Sequence, residues 1–161
     1  MKKLIALMLV SVAVVFASGC ANMTEAKAPQ KQKVVYHING DDPKQQKAAL
    51  GNIQNHINAV GAENLDLRVV MHGNGLSLVL YPDAAGKNGN KMKQGNATDD
   101  IQAKITTLKG EGVQFKVCAN TLKGRNISTS DIYDFSEADV VPSGVAELGI
   151  LQAQGFAYVK P

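Results

Sequence analysis

Tryptophan is absent from this chain of 161 residues, and tyrosine and phenylalanine occur only four times each. Its core must therefore pack Val, Ile, Leu and Ala rather than large rings. Charge of one sign is missing too. Its 17 Lys and Arg face 14 Asp and Glu, and the margin shrinks to 15 against 14 if Lys2 and Lys3 leave with the leader described below. Nucleic-acid surfaces need clustered Lys and Arg, so this balance argues against a nucleic acid as partner. The length suits one domain with a real core, not comfortably two.

Familiar catalytic patterns are lacking as well. His37, His72 and Cys118 include no close-spaced ligand pair and no acidic fourth ligand, so no metal site is read and no cofactor is implied. His72-Gly73-Asn74-Gly75 has neither the glycine spacing nor the Lys-Ser/Thr end of a phosphate loop. No Ser-His-Asp order or acidic pair points to a hydrolase.

What is present begins with a leader. Met1-Lys2-Lys3 is a basic start, and Leu4 to Phe16 is an apolar and small-residue run too short to span a bilayer comfortably. Ala17-Ser18-Gly19-Cys20 then supplies a cleavage site resembling a bacterial lipobox, with Cys20 the lipidation position and Ala21 after it. Residues 1–20 are thus expected to be a lipoprotein-type signal, with ordinary cleavage to a soluble periplasmic protein as the alternative. The expected location is the periplasm, anchored to the outer membrane only through the N-terminal lipid. Residues 21–32 are polar, with a proline, and read as a tether. The domain is expected over 33–161. Removal or lipidation of Cys20 leaves Cys118 without an intramolecular disulfide partner, so it is a buried inert thiol, an intermolecular partner or a functional sulfur.

Along that domain, Lys33–Asn39 reads as a strand. Asp42-Pro43 starts a helix with Leu50, Ile53, Ile57 and Val60 on one stripe, stopped by Gly61. Leu65–Met71 is a strand, and Leu76–Tyr81 fits either a strand or a helix start. Residues 82–96 read as a mobile solvated loop. Thr98-Asp99-Asp100 opens a helix through Ile101, Ile105 and Leu108. Val113–Val117 is a strand running into Cys118. Ser128–Asp131 has capping-box spacing and predicts a short helix through Ile132 and Phe135. Asp139–Pro142 is a brief strand, Ser143-Gly144 caps a last helix, and Phe156–Val159 is the final strand. This alternation predicts an α/β fold, a mostly parallel five-stranded sheet with helices on both faces.

In such a sheet the strand ends gather on one edge, where ligands and chemistry collect. His37 and Asn39, His72 and Asn74, Cys118 with Asn120 and Thr121, and Ser143 all stand at such ends. Cys118, at a strand end before a helix start and with Arg125 nearby, is placed for a nucleophilic sulfur. His56 lies beside the stripe of the first helix and reads as a packing residue.

Five segments carry a resemblance: Val34–Asn39 (VVYHIN), Asn52–His56 (NIQNH), Val117–Lys123 (VCANTLK), Val140–Leu148 (VVPSGVAEL) and Gly155–Pro161 (GFAYVKP). In that order they resemble the DsrE/DsrF-like family over about residues 33–161. The resemblance implies a compact α/β domain and assembly as homotrimers, hexamers or hetero-oligomers. Its sulfur-relay branch carries sulfur as a persulfide on one cysteine, the position matched by Cys118. The first expectation is a persulfide carrier or thiol-handling protein of the cell envelope, with a sulfur-donor or thiol protein as partner. Cys118 would accept sulfur, with Arg125 and local N–H groups steadying its anion. A non-catalytic module binding a small ligand through His37, Asn39, His72 and Asn74 is the alternative. A structural oligomer with Cys118 as core is the third.

Overall fold

A computed structural model describes residues 30–161 of the chain. The expected leader, Cys20 and most of the tether lie outside the described residues. Strand β1, Gln32–Ile38, draws on Val, Tyr and Ile, which suit a pleated buried surface, and its last five residues are all buried. Helix α1, Pro43–Val60, starts where Asp42 accepts the Gln45 N–H at 2.8 Å and Pro43 fills the first turn. Its Ala49, Leu50, Ile53 and Ile57 are buried, and Gly61, at φ 88°, ends it.

Strand β2 is Leu65–Met71, helix α2 is Asp99–Gly110 and strand β3 is Gln114–Cys118. A seven-residue helix α3, Ala119–Arg125, follows Cys118 directly. Strand β4 is Val140–Val141, helix α4 is Gly144–Ala153 and strand β5 is Ala157–Val159. The sheet runs β4-β3-β2-β1-β5, and every pairing is parallel. The five-stranded α/β sheet anticipated from the alternation is therefore present.

Connectivity decides which helix covers which face. From β1 to β4 the chain steps in one direction, and right-handed crossovers keep the intervening helices on one side. From β4 it returns across the whole sheet to pair β5 with β1, so α4 lies on the opposite side. Side-chain alternation agrees. Val34, Tyr36, Ile38, Leu67, Val69, Met71, Phe115 and Val117 join the core that includes α1 and α2, whereas Val35 and Val70 pack with Leu148, Leu151 and Phe156.

Three local expectations are corrected. The undecided Leu76–Tyr81 stretch is mostly the end of a 3-10 segment, Gly73–Leu78, followed by one antiparallel bridge, Leu80 to Ile132. Ser128 does form its capping box with Asp131, but it starts a single 3-10 turn, Thr129–Asp131, because Ile132 is drawn into that bridge. Residues 82–96 are not a bare solvated loop: Asn90, Met92 and Asn96 are buried, and the Lys91 N–H reaches the Arg125 carbonyl at 2.8 Å. Asn96 also enters a buried cluster. Its Nδ2 donates to Gln46 Oε1 (2.8 Å) and the Asp41 carbonyl (3.0 Å), while Gln46 Nε2 donates to the Gly40 carbonyl (2.7 Å) and Ser77 Oγ (2.9 Å).

Candidate functional site

The loop after β3 leads to α3 on one face, and the loop after β4 leads to α4 on the other. Between β3 and β4 the chain therefore parts to opposite sides at the carboxyl edge of the sheet, the kind of place where ligands collect in such folds. Cys118 ends β3 at this point, and Gly144 opens α4 beside it. A Cβ added to Gly144 would lie 2.9 Å from His72 Cβ and 3.3 Å from Cys118 Cβ. Only glycine lets the two side chains close on the start of α4.

Cys118 is 4% exposed and is a free thiol. Burial pushes its pKa up, but the Thr121 hydroxyl and the backbone N–H groups of Gly144, Thr121 and Asn120 outweigh it and leave the thiol below its ordinary value. Thr121 also accepts the Gly73 N–H at 2.9 Å, which leaves its hydroxyl proton available to the sulfur. All four donors favour thiolate.

Next to the thiol lies a row of rings. The last paired residues of β2 and β3 are Met71 and Val117, so His72 and Cys118 stand side by side one step further on. Alternation points His37, His72, Cys118 and Tyr158 to the α4 face. His37 Nε2 is 2.7 Å from His72 Nε2, and His37 Nδ1 is 2.6 Å from the Tyr158 hydroxyl. Burial first, then the positive charges of His72 and Lys160, hold His37 at about 4. Burial and Lys160 lower His72 as well. Both rings are neutral at neutral pH.

The residues expected at the site divide into groups. Cys118, Thr121 and the Asn120 N–H converge on the sulfur, and His72 with His37 lines up beside it. Asn39 borders a cleft of about 170 Å³ that adjoins this row at His37 and is lined also by Gln45, Gln46 and Lys160. Arg125 ends α3, and its guanidinium donates to Asn74 Oδ1 at 2.8 Å. Asn74 is thereby occupied. Ser143 accepts the Ala146 N–H as the cap of α4. His56 accepts or donates one bond with the Tyr36 hydroxyl at 3.1 Å, as a packing residue would. Among the described residues no group of three His, Cys, Asp or Glu is arranged to hold a metal.

Sequence reasoning missed Tyr158, Lys160 and the steric role of Gly144. One signal was available for the first two. In Phe156-Ala157-Tyr158-Val159-Lys160, alternation sets Tyr158 and Lys160 on one face against Ala157 and Val159 on the other.

The fold and site define a doubly wound, parallel α/β protein with one buried free thiol at its switch point. More particularly, the chain belongs to the DsrE/DsrF-like family, whose model matches residues 32–161. A protein of unknown function from Methanobacterium thermoautotrophicum, MTH1491, is similar at 26% identity and a TM-score of 0.62, over 81% of this chain and 100% of that one. The ychN protein from E. coli shares the fold at 22% identity and a TM-score of 0.58, over 81% of this chain and 99% of its own. No curated protein matches.

Proposed function

We propose that this protein carries sulfur as a persulfide on Cys118. The observation that carries the reading is the place of a free, buried Cys118 at the end of β3, directly before α3 and packed against the start of α4, where the Thr121 hydroxyl and the N–H groups of Gly144, Thr121 and Asn120 lower its thiol. Such donors favour the anion that attacks sulfur and can hold the anion that results. In loading, Cys118 Sγ bonds to the terminal sulfur of a donor persulfide, the donor's S–S bond breaks, and the donor thiolate departs. The exchange is redox-neutral. Membership of a family related to sulfur relay supports it. Export to the periplasm, lipid anchoring at Cys20 and assembly as a homotrimer or hexamer belong to the same proposal. Val145 and Ile150, exposed on α4, offer apolar surface for that assembly.

The test is intact mass after treatment with cysteine persulfide. Wild type should gain one sulfur atom, and Cys118→Ser should gain none while unfolding normally. No gain in wild type, or equal gain in the variant, sinks the reading. The cleft beside Asn39 and Lys160 favours a second reading, a small-ligand module without turnover. In that case ligand-induced stabilisation would persist in Cys118→Ser.

A further inference from the structure

Tyr158, His37 and His72 form an unbroken chain that sulfur loading, as written above, leaves unused. Two imidazole nitrogens 2.7 Å apart share a single proton, so one ring donates and the other accepts. A doubly protonated pair would set two N–H groups head to head. Rings kept neutral and bonded in series do not store an acid proton, but each can take one up at one nitrogen while releasing one at the other. The chain has two distinct ends. Tyr158 is 42% exposed and meets water. At the other end, His72 Nδ1 has no hydrogen-bond partner among the described residues, and the Cβ and Cδ2 of His72 lie against the same glycine as Cys118 Cβ.

We infer that Tyr158, His37 and His72 are a proton wire between solvent and the sulfur site, and that it protonates the thiolate expelled when Cys118 accepts sulfur. This rests on the persulfide reading. As Sγ bonds to the terminal sulfur and the donor's S–S bond breaks, the departing thiolate takes the proton of His72 Nδ1. His72 Nε2 takes the His37 Nε2 proton, His37 Nδ1 takes the Tyr158 hydroxyl proton, and water restores Tyr158. Each proton moves one place, no imidazolium forms and no further oxidant or reductant is needed. His72 is the group that meets the substrate, while His37 and Tyr158 act through it.

Two reagents separate this role from a structural one. Cysteine persulfide expels an alkyl thiolate, which needs a proton; methyl methanethiosulfonate expels a sulfinate, which does not. His72→Asn should slow sulfur loading about tenfold to a hundredfold while methylthiolation of Cys118 stays within about threefold of wild type. Tyr158→Phe, which keeps the ring at a half-open position, should show the same selectivity with a smaller factor. It carries the test if His72→Asn fails to fold. Equal slowing with both reagents, or slowing with neither, overturns the wire. A wild-type protein that is methylthiolated but gains no sulfur overturns the persulfide reading, and the wire falls with it.

Discussion

On one side of the sheet, α1, α2 and α3 close over a large continuous core; on the other, Leu148 and Leu151 of α4 pack on Val35, Val70 and Phe156 in a much smaller cluster. The thick side holds Phe115, Leu50, Ile53 and Ile105, all essentially without solvent contact. The thin side carries Cys118, His72, His37 and Tyr158 in a row across four strands. A polar side chain on the thick side loses water at a cost of roughly 1–3 kcal/mol unless it finds a partner, as Gln46, Ser77 and Asn96 do in one another. The thin side lets the row run from a buried thiol to an exposed phenol. Stability and chemistry have been assigned to opposite faces of one sheet.

Substitution can break that comparison. Phe115→Ala should cost about 3–5 kcal/mol in denaturant-induced unfolding, because the packed helices cannot collapse onto the void. Leu148→Ala, beneath α4, should cost less, about 2–3 kcal/mol, since α4 has fewer neighbours and can settle. It should nevertheless disturb the thiol more, read as slower alkylation of native Cys118. Equal costs, or a thiol indifferent to Leu148, would mean that the faces are not divided in this way.

A smaller effect follows from the two imidazoles. His37 is lowered in the folded state from its ordinary 6.5 to about 4, so the unfolded chain binds its proton more readily. The associated stability is fully present above about pH 6.5 and is lost as pH falls towards 4. Melting temperature should therefore decline through that window, and His37→Asn should flatten the decline, with His72 supplying the remainder. Smallest of all, Ile150→Lys on the outer face of α4 should change monomer stability by no more than about 0.5 kcal/mol. It should lower the assembled mass in light scattering if that face joins copies of the chain.

Local chemistry made much of this visible beforehand. Asp42-Pro43 and the Leu50, Ile53, Ile57 stripe specify α1, and alternation of strands and helices specifies a parallel sheet with polar strand ends on one edge. The place of Cys118 at the end of β3 was legible in this way. The meeting of His37 with His72 was not, because it depends on the register between β1 and β2, which is set by packing across the sheet rather than by either strand. Arg125 was placed by nearness in sequence, and its bond to Asn74 is a contact between separate segments that spacing alone does not reveal. The segment over 82–96 was misjudged because its anchors are Asn and Met, which bury through tertiary contacts that composition does not reveal.

The cluster of Gln46, Ser77 and Asn96 that ties the end of β1 to the segment before α2 has one more consequence. Its members are amides, a hydroxyl and backbone carbonyls, none of which changes charge in ordinary buffers. The cluster itself is therefore deaf to acidity, while the rings and the sulfur beside it respond. As the imidazoles take up protons, this tie between the end of β1 and the segment before α2 keeps its charge and its bonds.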